Sequence, residues 1–423
     1  MKPQNFPESV IWYSLVATYG VYLIGGLYIL GPAIALILLA YLGKKLWEQT
    51  DATPAAERII IPWTVWTWVA GMLAMLLALL IGHLDFGMSL IATIKSCVGW
   101  LKGWALMAIF PLIGCLKIRP QILYRGACVV CLCSLVLAPF LYLAYLIHLP
   151  TVLYVSPLKV LGGAGDLFFQ VRLYTIDSEG GVRWPFFAPW GPATGLMGNV
   201  YFFMALQEKN SRWRWSGIVG SCALIYLSKS RMATLFVVVV LLLTWGLTKL
   251  AKPSFLILAG IGSTLTGIIA PILMGWVNVY WQNFRAARAD SSQVREALQR
   301  IALRRWWTEA PIWGHGVVER GPHLVQYMLI GSHHTIFSLL FLRGIVGLVA
   351  FIIPMVCSLI DLIIKAQQNE VAQVGLSILL LLCCYSLGEN LEVLAYLFWP
   401  GLVVIGIAFV EKLPLNITAK IAE

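Results

Sequence analysis

Apolar residues run along this chain in long blocks, and charged residues are confined to the short gaps between them. About 20 mostly apolar residues in a helix cross a bilayer core, and the pattern supplies blocks of that order repeatedly. It predicts helices over roughly 10–24, 26–43, 60–82, 90–115, 124–148, 190–207, 214–229, 231–249, 254–278, 334–364, 371–388 and 391–411. The fold class expected is therefore an all-α integral membrane protein of about twelve transmembrane helices. One polytopic domain would fill 1–423, interrupted by two longer polar segments, 149–189 and 279–333.

Composition supports this reading. With 60% hydrophobic and 12% charged residues, 423 residues carry too little polar surface for a soluble globule. A cleavable signal peptide is not expected, because the first apolar block is interrupted at Gly25–Gly26 and flows into the second. Lysine and arginine in short loops stay on the cytoplasmic side. Segments 43–58, 117–125, 208–214, 248–252, 365–370 and the tail from Glu411 all carry such residues, which places the amino terminus inside and both long segments outside. The second long segment breaks the rule: seven arginines (285, 288, 295, 300, 304, 305 and 320) face four acids (Asp290, Glu296, Glu309 and Glu319). That surplus suits a bulky anion such as a pyrophosphate, or an interfacial helix touching lipid headgroups.

Several chemistries lack support. The chain has no P-loop, dinucleotide fingerprint, HExxH or GxSxG, and nothing in it points to nucleic acid. Cys128, Cys131 and Cys133 would resemble a ligand cluster in a soluble protein, but inside GACVVCLCSLVL they read as small apolar packing. Neither long segment contains a cysteine, and no metal or other cofactor is expected.

The second long segment can be followed residue by residue. Val294, Leu298, Ile301, Ala302 and Trp306 recur at helical spacing, which predicts an amphipathic helix over 291–307 capped by Ser291 or Ser292. Ala-Pro-Ile-Trp-Gly-His-Gly (310–316) then ends the helix and turns. His333 and His334 return the chain to the membrane at the water–lipid boundary.

His333-His334, nine residues, then Gly344-Ile345-Val346-Gly347 is similar to a motif of the O-antigen ligase and O-antigen polymerase superfamily, in which the residue after the histidine is usually Asn. Ser292 to Arg295 with the helix after it, Ser228-Lys229-Ser230-Arg231 at the start of a span, and Arg172 ahead of a Phe-Phe-Ala-Pro segment also resemble that family. The resemblance covers roughly 165–410 and implies a fold like that of the C-type glycosyltransferases. It implies transfer of a glycan from an undecaprenyl-pyrophosphate carrier to a hydroxyl on the periplasmic side of a bacterial inner membrane, with inversion and without metal. His333 would be the base, since the spacing to Gly344 favours it over His334. Arg231, Arg288 and Arg295 would bind pyrophosphate, with Arg172 and Arg285 as second choices.

Around these, Glu389 and Glu392 are expected to orient arginines or hold a sugar hydroxyl, and Lys229 to bind phosphate or snorkel. Trp184, Phe186, Phe187, Trp190, Trp306 and Trp307 could stack on sugars or form an aromatic belt. Within the family the short external loop favours a polymerase of O-antigen, capsule or exopolysaccharide. The alternatives are a ligase acting on a lipid A core, or a protein O-oligosaccharyltransferase. Membrane lipids, a flippase and a chain-length regulator are the expected partners. A secondary transporter is the competing class, disfavoured because no repeat emerges and the ionisable groups lie outside the membrane midplane.

Overall fold

The computed structural model describes residues 1–412 except 55–56, 164, 177–179, 251, 287–288, 326 and 332; the side chains of 273, 277, 280–292 and 324 also lie outside the described set. The described helices are α1 (Phe6–Val16), α2 (Thr18–Leu23), α3 (Leu27–Glu48), α4 (Trp63–Asp85), α5 (Leu90–Lys102), α6 (Leu106–Gly114), α7 (Pro120–Leu146), α8 (Gly191–Leu206), α9 (Ser211–Leu227), α10 (Arg231–Leu247), α11 (Pro253–Ala286), α12 (Ala289–Glu309), α13 (Thr335–Ala366), α14 (Glu370–Ser386) and α15 (Leu391–Val410). Strands β1 (Val152–Val155) and β2 (Gln170–Arg172) pair antiparallel, as do β3 (Thr175–Ile176) and β4 (Val182–Arg183). The chain is thus a multi-pass, mainly α-helical membrane protein.

Each apolar block is largely helical. The first divides between α1 and α2, and 90–115 divides at Gly103, where a Cβ would come within 2.6 Å of the Glu392 Cγ. Seven helical stretches among the described residues are long and apolar enough to cross a membrane: Leu27–Glu48, Trp63–Asp85, Leu90–Gly114, Pro120–Leu146, Pro253–Ile272, Thr335–Ala366 and Leu391–Val410. That is fewer than the twelve expected, because α1 with α2, α8, α9, α10 and α14 each lack 18 continuous helical residues.

Burial sorts these helices. The apolar window of α15 is 89% buried, whereas that of Pro253–Ile272 has no buried residue, so α15 is the axis of the bundle and α11 lies at its edge. Close approach to the axis relies on small residues, as is general for helices packing in lipid: a Cβ on Gly114 of α6 would lie 2.6 Å from the Gly406 backbone of α15. Cys128 and Cys131 are fully buried, in keeping with packing.

α12 matches the predicted amphipathic helix. Leu298 and Ala302 are buried, and Ala302 with Ile301 packs against Ile330, Phe341 and Leu342. The expected cap is corrected: the helix already begins at Ala289, which puts Ser291 and Ser292 inside its first turn. Within the segment Arg300 pairs with Glu296 at 2.7 Å and Arg305 with both Glu309 and Glu319, so the surplus of arginine remains on the others.

α13 is broken at Gly344 (φ 62°, ψ −163°). A break inside an apolar helix strands backbone groups that lipid cannot satisfy, and the segment 311–316 fills them. The His315 and Gly316 amides donate to the Phe341 and Leu342 carbonyls at 2.8 and 3.0 Å, while the Ile345 and Val346 amides donate to Pro311 and Ile312 at 2.9 and 3.3 Å. Gly344 has a left-handed φ, and a Cβ there would strike the Ile312 carbonyl; one on Gly314 would strike the Arg343 amide nitrogen. The splice is tightened by His315, whose buried ring stacks between Phe86 and Phe341 and whose Nε2 lies 2.8 Å from the Glu309 carboxylate. Hydrogen bonds from Arg305 and then from His315 hold the Glu309 carboxyl down to about 2.

Candidate active site

At one end of the bundle the starts of α8, α13 and α15 meet α12 and the two hairpins around a cavity of about 530 Å³. Its polar lining includes His333, Arg295, Arg183, Glu389, Asn390 and Glu392, set among apolar groups such as Phe168, Leu329 and Ile330. Sequence positions more than 200 apart are thus brought to one place.

His333 sits in the wall just before α13. Burial, together with the Arg295 charge, pushes its pKa down to about 4. The imidazole is therefore neutral at pH 7 and has a nitrogen lone pair to offer. The start of α13 is stapled to the α14–α15 turn: the Thr335 hydroxyl donates to the Glu389 carbonyl at 2.7 Å and accepts from the Leu391 amide at 3.1 Å, and Asn390 Nδ2 donates to the Ser338 hydroxyl at 3.3 Å. His334 is not part of the wall. It occupies the N-cap position of α13 without a side-chain cap bond, meets the Phe337 ring edge-on at 4.5 Å, and buries an Nδ1 that has no hydrogen-bond partner.

Glu389 is the second titratable group of the cavity. It is 3% exposed, and its Oε2 accepts from Trp190 Nε1 at 3.1 Å. Burial pushes its carboxyl up to about 7 in spite of the Arg295 charge. Because the folded protein holds this proton more tightly than the unfolded chain, the contribution to stability is complete below about 4.5 and is lost as pH rises through about 7. His333 and His334, depressed to about 4, act oppositely: their contribution is present above about 6.5 and lost as pH falls through about 4. The Glu389 share is then read as a difference. Glu389→Gln, which can still accept from Trp190, should gain thermal stability over the parent at pH 8 and show no gain at pH 4.5 in detergent melts; parallel curves would refute the assignment.

The arginines divide. Arg295 on α12 and Arg183 on β4 line the cavity. Arg172 lies outside the lining, with Nε donating to the Gln170 side chain at 2.8 Å and its backbone amide donating to the Tyr22 hydroxyl at 2.7 Å. Arg231 is likewise outside the lining and opens α10 beside the cavity, where the next residue, Met232, packs against Gly388 next to Glu389. Arg288 and the Arg285 side chain lie outside the described residues. Lys229 has a left-handed φ of 51° between α9 and α10 and stands over the Tyr226 ring at 4.8 Å.

Arg183 was not among the arginines expected at the site, since the resemblance pointed to Arg172 ahead of the Phe-Phe-Ala-Pro segment. The available signal was its place three residues before Phe186, nearer to the Phe-Phe-Ala-Pro segment than Arg172. Of the rings proposed for sugar stacking, only Trp190 lines the cavity, with Phe168 edge-on at 5.8 Å. Trp184, Phe186 and Phe187 are buried, the last against Tyr19 and Tyr201. Trp306 donates to the Pro311 carbonyl at 2.8 Å and meets the Trp307 ring at 5.6 Å.

No curated protein matches the chain. Residues 216–352 match the family model described as O-antigen ligase. The match runs from α9 into α13 and takes in Arg295, His333 and the Gly344 break. Through this stretch, about a third of its length, the chain is similar to the O-antigen ligase family, which supports its resemblance to the O-antigen ligase and O-antigen polymerase superfamily.

Proposed function

We propose that the protein is an inverting, metal-independent glycosyltransferase that polymerises O-antigen, capsular or exopolysaccharide repeats on undecaprenyl pyrophosphate, working at the periplasmic face of a bacterial inner membrane. The observation that carries this reading is a single cavity in which a neutral histidine faces two arginines. In the step it supports, an acceptor sugar hydroxyl attacks the anomeric carbon from the side opposite the carrier and passes its proton to the His333 imidazole. The anomeric carbon–oxygen bond breaks, and the carrier leaves as pyrophosphate. Its growing charge falls between Arg295 and Arg183, with Arg231 beside the cavity, where fixed guanidinium forks stabilise it. The alternating apolar and polar lining suits a site shared by a polyprenyl tail and a glycan. Flippase and chain-length partners belong to the same proposal.

The test is turnover by the purified protein with a lipid-linked repeat unit as both donor and acceptor. A ladder of lengthened lipid-linked glycan is expected, with free polyprenyl pyrophosphate released. Transfer only to a lipid A core acceptor would make the protein a ligase, and no transfer to either would remove the reading.

The same assay tests the role of the arginines as countercharge. Among the described residues no group of three His, Cys, Asp or Glu side chains is placed to hold a metal ion, and rates in excess EDTA should equal those in magnesium. Loss in chelator with recovery on adding magnesium or manganese would move the countercharge to a metal.

A further inference from the structure

A second crevice, of about 390 Å³, lies at the opposite end of the bundle, where the ends of α8, α10 and α13 meet the start of α14. α13 separates it from His333 by 32 residues, roughly 48 Å at 1.5 Å per residue. One side is apolar, with Phe203, Leu206, Leu241 and Val374. Polar groups on the other side largely satisfy each other or the backbone: the Gln367 amide donates to the Leu247 and Ile363 carbonyls at 2.7 and 2.8 Å, and the Thr244 and Ser377 hydroxyls meet at 3.0 Å. That leaves the ammonium groups of Lys249 and Lys252, the former 5.3 Å from the Trp245 ring centre, as the cations lining the crevice.

Among the described residues no carboxylate lines this crevice, whereas several other cations at this end have a carboxylate partner. Arg119 pairs with Glu8 at 2.6 Å, Arg125 with Glu208 at 2.7 Å, Lys365 with Asp361 at 2.9 Å and Lys45 with Glu48 at 3.3 Å. Lys249 and Lys252 also join two apolar helices, α10 and α11, which puts them at headgroup depth. We propose that this crevice binds the phosphodiester headgroup of an anionic phospholipid, with Lys249 and Lys252 on the phosphate and the apolar side against the glycerol and upper acyl chain. The site is independent of the reading of the His333 cavity.

The test uses the full chain in detergent, with dioleoyl phosphatidylglycerol, dioleoyl phosphatidylcholine or inorganic phosphate as probes and bound lipid counted by native mass spectrometry. Phosphatidylglycerol should be retained in preference to phosphatidylcholine. The pair Lys249→Gln and Lys252→Gln should weaken it roughly 10- to 30-fold, the size expected for two lysines at an anionic surface. The single variants should each lose part of that, which keeps the test valid if the pair folds poorly. Lys44→Gln with Lys45→Gln should change nothing, since both lysines already face Glu48. Equal retention of the two lipids, undiminished binding in the Lys249 and Lys252 variants, or displacement of the lipid by millimolar inorganic phosphate would overturn the proposal.

Discussion

Replacing His333 with alanine is expected to abolish polymer formation while the protein stays at normal abundance in the membrane. A positioned general base contributes typically 10²- to 10⁴-fold, and the His333 ring is the cavity group that is neutral at pH 7 by virtue of both burial and the adjacent Arg295 charge. The contrast with its neighbour gives the test its discrimination. His334 caps α13 without a side-chain bond and buries an unpartnered nitrogen, so His334→Asn replaces a poor cap with a good one. It should keep full activity and equal or better stability. Surface glycan blotted from a complemented deletion strain, beside a membrane-fraction immunoblot, reads both quantities. An active His333→Ala strain with an inactive His334→Asn strain would transfer the role of base to the second histidine.

The second large effect is expected from Arg295→Lys and Arg183→Lys, each falling on the order of 10²-fold, the loss typical for one donor aimed at developing charge. Lysine keeps the charge but gives up the planar fork that grips a pyrophosphate in two places. Arg231→Lys, outside the lining, should cost less. Arg304→Gln should cost little, because Arg304 is an exposed residue of α12 that does not line the cavity. Initial rates with a lipid-linked donor settle the order. Near-normal rates in both lysine variants would mean that the arginines attract the substrate without gripping it.

Hydropathy made the helices legible because each apolar block is long compared with the turns between them, and spacing alone located the amphipathic face of α12. The pairing of Arg295 with His333 was accessible through motif resemblance. Other features were hidden for identifiable reasons. Hydropathy is blind to φ, so the Gly344 break vanished inside an apolar run, and the Gly-His-Gly turn that completes it looked like a mere helix terminator. Glu389 read as an arginine partner, whereas the geometry adds an indole donor almost two hundred residues earlier, Trp190, which no periodicity can foretell. Arg183 and Arg172 share a loop and differ only in where the hairpins turn them, a choice made by pairing register and by the Gln170 side chain.

The spliced helix also bears on how the chain is inserted. A half-helix ending at Gly344 cannot enter lipid as a finished unit, since each backbone group left unmatched there costs several kcal/mol. Its partners at 311–316 precede it in the chain, so they emerge from the ribosome first. Biogenesis then has an order: the loop must wait on the far side before α13 can settle, and a lesion at Gly314 or Gly344 is an insertion defect that abundance in the membrane fraction would reveal before any enzyme assay.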